Sequence, residues 1–135
     1  MEPERIARRI FDAYRHGDLT TIQALIAPDV TLHVPGRNKL AGDYVGPGEV
    51  IALVARASGF FEPGSLRVLE MDVNEGEILA RVRVSAGTLA LGRGYLFLNQ
   101  RMRPADDGRI REAWVEPDHQ QEWDDFVGRS IQPEG

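Results

Sequence analysis

His33 is the side chain best suited to move a proton at neutral pH, because an imidazole without neighbours titrates at about pH 6.5. Of the three histidines, His16, His33 and His119, it alone sits in a strand-like alternation, Val30-Thr31-Leu32-His33-Val34. Its phase is opposite to Leu32 and Val34, so it either reaches a hydrogen-bonding partner on the polar side and is structural, or meets a ligand as general acid and base. Asp43, across the following loop, is its charged neighbour in either case and would orient one ring nitrogen. Beside Gly42, Asp43 is equally suited to cap a turn. The same loop carries Arg37, Asn38 and Tyr44; Asn38 and Tyr44 are neutral donors for a ligand carbonyl or, equally, groups that shape the loop. Gln100 alternates with Leu96, Leu98 and Met102 on what should be the inner face of a strand, where a polar group needs a partner or a ligand.

Other chemistries find no residues. The histidines stand at no paired spacing with carboxylates, so no metal is expected. Gly87, Gly92 and Gly94 form no nucleotide fingerprint, and no Gly-x-Ser-x-Gly elbow exists, so no cofactor is expected. The absence of cysteine excludes disulfides, thiolate metal sites and a cysteine nucleophile.

The elements that must position these residues read as follows. Residues 3–16 repeat apolar side chains at helical spacing (Ile6, Ile10, Ala13, Tyr14) and end at Gly17. Asp18 caps a second, short helix with Leu19, Ile22, Leu25 and Ile26 inward, stopped by Pro28. A strand over Val30–Val34, a polar loop over 35–46 and a third helix from Pro47 to Gly59 follow. From Leu66 to Glu116 the period changes to two, with turns at Asn74-Glu75-Gly76 and Asp107-Gly108, which predicts a four-stranded antiparallel meander. Arg81, Arg83, Arg101 and Arg103 would then stack on the outer face and form ion pairs there. A last helix carries Trp123, Phe126 and Val127 and stops at Gly128. One domain over 1–128 with a polar tail over 129–135, α+β in class, accounts for the chain.

Composition agrees and narrows the partners. The 135 residues carry a net charge of −5 and 42% hydrophobic side chains, which suffices for one core. An acidic balance argues against a nucleic-acid partner. No apolar run approaches the about 18 residues of a membrane span, and the acidic start Met1-Glu2-Pro3-Glu4 is unlike a signal peptide, so a cytoplasmic location is expected.

The loop His33-Val-Pro35-Gly36-Arg-Asn38-Lys-Leu-Ala-Gly42-Asp43-Tyr44-Val-Gly46 resembles that of the SnoaL-like polyketide-cyclase branch of the nuclear transport factor 2-like superfamily. Similar to that branch, too, are Phe11-Asp-Ala-Tyr14-Arg-His-Gly17-Asp18, Leu25-Ile-Ala-Pro28-Asp29, Gly108-Arg-Ile110-Arg-Glu112-Ala-Trp114 and His119-Gln120-Gln-Glu-Trp-Asp124-Asp-Phe126. The resemblance spans about residues 3–127 and implies a cone of curved antiparallel sheet wrapped around the N-terminal helices, the cystatin-like roll. It also implies an apolar pocket at the wide end and a homodimer through the outer sheet face.

Residue by residue, the resemblance places Tyr14 where scytalone dehydratase has a substrate-facing tyrosine, though its spacing also describes a core residue. It places Ala113 and Val115 where cyclases and epoxide hydrolases of this superfamily present a His or Asp, and Val34 where ketosteroid isomerases hold their base. None of these three side chains carries a proton, so the pocket floor is apolar. The expected function is binding of a small, apolar, oxygenated molecule. Cofactor-independent cyclisation, isomerisation or dehydration is one extension, with His33 moving the proton and Tyr14, Tyr44 and Asn38 polarising an oxygen. The alternatives are a non-catalytic carrier or sensor, favoured by Ala113 and Val115, and a dimeric protein-interaction module.

Overall fold

Proline at the first turn, Glu4 near the N-terminus and Arg15 in the last turn suit a helix and its dipole, and α1 runs over Pro3–Arg15. In the computed structural model, residues 2–85 and 94–131 are described; Gly87, Gly92 and the expected tail from 132 onward lie outside them. The buried face of α1 is Ile6, Ala7, Phe11 and Ala13, with Ile10 and Tyr14 half-buried beside it. Gly17 turns the chain at a positive φ of 70°. The Asp18 carboxylate then caps α2 (Leu19–Leu25) by accepting from the Thr21 N–H at 3.1 Å and its hydroxyl at 2.6 Å.

Three local expectations need correction. The second helix ends at Leu25, and Ile26 begins the first strand, β1 (Ile26–Val34), which passes through Pro28. An irregularity in pairing between Ile26 and Thr31 accommodates the proline, which has no N–H for a ladder. The polar loop expected over 35–46 also contains a strand, since β2 (Gly42–Val45) folds back on β1 with His33 opposite Asp43. Next, α3 (Pro47–Ala57) starts after Gly46 at φ 88°, a 3-10 turn covers Pro63–Ser65, and the meander follows. Its strands are β3 (Arg67–Asn74), β4 (Glu77–Ser85), β5 (Tyr95–Pro104) and β6 (Ile110–Pro117). Glu75 and Gly76 both take positive φ, the requirement of a two-residue type I′ hairpin. Finally α4 (Gln120–Ile131) runs through Gly128 instead of stopping there.

The six strands form one curved sheet in the order β2-β1-β6-β5-β4-β3. Every neighbouring pair is antiparallel except β1 with β6, which is parallel, so the sheet is mixed rather than wholly antiparallel. Helices stay on one side of it, as the α+β reading requires. Alternation then sorts the side chains: Ile78, Ala80, Val82, Leu98 and Met102 are buried toward the helices. Each such large side chain contributes about 1.5–3 kcal/mol by leaving water. No described helix is long and apolar enough to cross a membrane.

The last helix is tied to the loop after β1. The Asp124 carboxylate accepts from Asn38 Nδ2 at 2.6 Å and from Gln120 Nε2 at 3.0 Å, and Gln120 also reaches the Pro35 carbonyl at 3.4 Å. Gly36, at φ 104°, lies directly beneath this cluster, and a Cβ there would collide with Gln120 Nε2 and Asp124 Oδ1. Gly36→Ala is therefore expected to lower the unfolding free energy by about 2 kcal/mol or more, from left-handed backbone strain plus the clash. Urea denaturation reads the loss, and hydrogen exchange should accelerate across α4 before it does in β4 and β5. An unchanged urea midpoint would mean that the loop and helix do not depend on this contact.

Candidate functional site

Between the inner sheet face and helices α1–α4 lies a cavity of about 170 Å³. Its wall is almost entirely aliphatic and aromatic. Leu32 and Val34 enter it from β1, Ala113 and Val115 from β6, Leu98, Gln100 and Met102 from β5. The register explains the grouping: Leu32 lies beside Ala113, Ala113 opposite Met102, and Val115 opposite Gln100. Val34, Ala113 and Val115 thus line the cavity as expected, and none can exchange a proton.

Two polar residues, Tyr14 and Gln100, interrupt the apolar wall among the described residues. Tyr14 on α1 lines the cavity; burial pushes its phenol pKa upward, partly offset by the Ser58 hydroxyl beside it, so it stays a neutral donor. Gln100 lines it as well, and among the described residues nothing hydrogen-bonds its side-chain amide. Trp123 on α4, which sequence periodicity marks as core, adds to the lining. Its ring stacks on Phe61 at a centroid distance of 4.9 Å, and its Nε1 is buried with no protein partner among the described residues. Nothing in its spacing distinguishes such a tryptophan from a packed one. Phe61 and Leu40, from turn and loop, complete this end of the wall.

The loop residues Arg37, Asn38 and Tyr44 do not line the cavity; they build the strap that pushes Leu40 into it. Asn38 accepts from the Leu40 N–H at 2.9 Å while donating to Asp124. Tyr44 donates to the Leu40 carbonyl at 2.7 Å and accepts from Arg56 Nη2 at 3.1 Å. Partial desolvation raises the Asp124 pKa, but the donors Asn38, Gln120 and the Arg37 backbone outweigh it and hold the carboxylate below its ordinary range.

His33 and Asp43 do meet, on the opposite face of the sheet. His33 Nδ1 lies 2.7 Å from Asp43 Oδ1, and Nε2 lies 2.8 Å from Glu112 Oε2. Two carboxylate acceptors require both ring nitrogens to be protonated, and these hydrogen bonds, Asp43 first and Glu112 second, raise the imidazole pKa above 6.5. The ring stacks on Trp114 at 5.4 Å, and Arg101 and Arg103 lie over the same indole at 3.9 Å and 5.2 Å. Glu77 ties Arg101 and Arg103 together at 3.5 Å and 3.0 Å, and Arg103 reaches Glu112 at 3.3 Å. Of the expected arginine stack, Arg81, Arg101 and Arg103 are ion-paired, while Arg83 lies over the Tyr95 ring at 4.5 Å. An open cleft beside it is bordered by His33, Asp43, Glu116 and Gln120. The structure therefore separates the proton-carrying pair from Tyr14 and Gln100, with the sheet between them.

Residues 7–113 match the family model of the SnoaL-like domain. An uncharacterized protein of Mycobacterium tuberculosis is 33% identical over 84 residues, which cover 60% of this chain and 63% of that protein, so the match spans less than two thirds of its length. Among solved structures, Bal32a from a soil-derived mobile gene cassette superposes with a TM-score of 0.81 at 22% identity, covering 93% of this chain and 95% of that one. An NTF2-like protein of Burkholderia pseudomallei gives 0.77 at 20% identity over 94% and 98% of the two chains. TerC, co-crystallized with polyporic acid, gives 0.76 at 15% identity over 93% and 97%. At such identities the likeness is one of fold, and the fold is NTF2-like.

The His33 cluster sets a pH dependence whose sign follows from the raised pKa. Below about pH 6.5 the imidazole is protonated folded or unfolded and its full stabilisation is present. As pH rises through the folded-state pKa that stabilisation is lost. Urea midpoints taken from about pH 5.5 to about pH 9 should therefore fall with pH in the wild type and flatten in His33→Gln. Parallel curves for the two proteins would exclude the doubly bonded imidazolium.

Proposed function

The chain belongs to the SnoaL-like domain family, and from that membership we propose that it binds a small, apolar, oxygen-bearing molecule in the cavity between sheet and helices. One observation carries the reading: a wall of apolar side chains interrupted, among the described residues, by the neutral polar groups of Tyr14 and Gln100. Such a wall selects by shape and by one or two hydrogen bonds. That TerC, which shares the fold, was co-crystallized with polyporic acid supports small-molecule binding by this architecture.

Tyr14 is the only titratable side chain among the described cavity residues, and it remains protonated. Catalysis in the cavity would rest on its phenol polarising a ligand oxygen, not on abstraction of a proton by His33. Gln100 would orient the ligand, and Val34, Ala113 and Val115 would form its apolar seat. A homodimer would use the outer sheet face, where Tyr95 and Phe97 remain 48% and 37% exposed; sedimentation should then give twice the chain mass.

Native mass spectrometry tests the binding reading. The wild type should retain a small molecule that is lost on denaturation, or show a raised Tm with apolar ketones, alcohols or hydrocarbons. Val115→Trp, which fills the cavity, should abolish either response, and His33→Gln, on the outer face, should keep it. Tyr14→Phe should weaken an oxygen-bearing ligand several-fold, the worth of one neutral hydrogen bond. No response in the wild type, or an undiminished one in Val115→Trp, would sink the proposal.

A further inference from the structure

Given the cavity binding proposed above, on which this step rests, we propose that the Gln100 side chain selects the ligand through a paired contact, donating from Nε2 and accepting at Oε1. The ligand is then a neutral lactam, whose C=O and N–H stand side by side on one edge.

The sheet gives this amide no partner. β5 lies between β4 and β6, with Ala80 and Val115 opposite Gln100 on its two sides. Leu98 and Met102 flank it along the strand on the same face, and both are buried. All four side chains are apolar, the neighbouring backbone is engaged in the ladders, and among the described residues no hydrogen bond reaches either polar atom of Gln100. Those atoms are nonetheless accessible: Gln100 is half-buried, and neither Oε1 nor Nε2 is sealed as the Trp123 indole nitrogen is. Water can serve them, and a ligand that displaces this water must replace both contacts.

The amide edge and the uncharged wall together define the ligand's class. No lysine, arginine, aspartate or glutamate lines the cavity among the described residues, so a carboxylate or an ammonium would give up its water with no counter-charge in return. A ketone, ether or ester only accepts, and leaves Oε1 without a donor. An alcohol places donor and acceptor on one atom, where they cannot face Nε2 and Oε1 in parallel. An open-chain secondary amide is trans, with its C=O and N–H on opposite sides. A primary amide has the right edge but brings a further N–H that the apolar wall cannot satisfy. A lactam is held cis by its ring and turns hydrocarbon to the rest of the wall. The wall's other polar group, the Tyr14 hydroxyl, already has Ser58 beside it.

The test pairs 2-quinolone with coumarin, which has the same skeleton with a ring oxygen in place of the lactam N–H. By calorimetry on the full chain, 2-quinolone should bind about tenfold more tightly, the effect of the additional hydrogen bond to Oε1. Without the paired contact the order reverses, because the lactam N–H gives up its water for nothing. Gln100→Leu, which suits the apolar face, should remove the preference. In ¹⁵N-labelled wild type the Gln100 side-chain amide signal should move on saturation with 2-quinolone, a readout that needs no variant. Coumarin bound as tightly as 2-quinolone, a preference that survives in folded Gln100→Leu, or an unmoved Gln100 signal would overturn the lactam contact. Binding of neither compound would overturn it as well. Retention of another small molecule, abolished by Val115→Trp, would in that case leave the cavity-binding reading standing, and no retention would take that reading down too.

Discussion

The two-residue period of β6 is the constraint on which the rest of the molecule depends. Ala113 and Val115 face the helices, while Glu112, Trp114 and Glu116 face outward, and neighbours on both sides keep the same phase. A one-residue slip would exchange the two sets. It would carry carboxylates into an apolar wall, at a cost of several kcal/mol each. The exposed ion pairs of Arg101 and Arg103 contribute at most about 1 kcal/mol apiece. Core burial therefore sets the register, and the charged outer face follows from it.

Two hydrogen-bonding groups with raised pKa values show how different the two faces are. At Tyr14 the cause is burial, which disfavours the phenolate and keeps a neutral donor in the cavity. At His33 the cause is the pair of carboxylates, which favours the imidazolium. The same direction of shift thus suppresses charge on one side of the sheet and fixes it on the other. The consequence for chemistry is that the cavity wall, among the described residues, carries dipoles and no formal charge.

Much of this arrangement was legible from spacing. Helices α1 and α3 and the meander follow from period and punctuation, and the alternation around Leu32 and Val34 already turns His33 away from the apolar side. Asp43 could be named as its partner because ten residues of loop bring it back. Glu112 could not, since it approaches His33 only through the parallel pairing of β1 with β6 across 79 positions. The strand β2 escaped notice for a related reason: Gly42-Asp43-Tyr44-Val45 is short, begins with glycine and is largely exposed, so its conformation comes from β1 rather than from its own residues. Trp123 was readable as a buried helix residue, but an unpaired indole nitrogen is a property of its surroundings and leaves no mark on periodicity.

The parallel pairing of β1 with β6 also bears on the order in which the chain can assemble. During synthesis β1 emerges early with only β2 to pair with, and its inner edge waits until the far end of the meander has been made. β3, β4 and β5 can zip by local hairpins in the meantime, but the two halves of the sheet have no common strand before β6 arrives. The apolar stripes of α1 and α2 meet their finished floor only then. Once Leu32 lies beside Ala113 and the sheet is closed, only α4, with Trp123, Phe126 and Val127, is left to cover the interior.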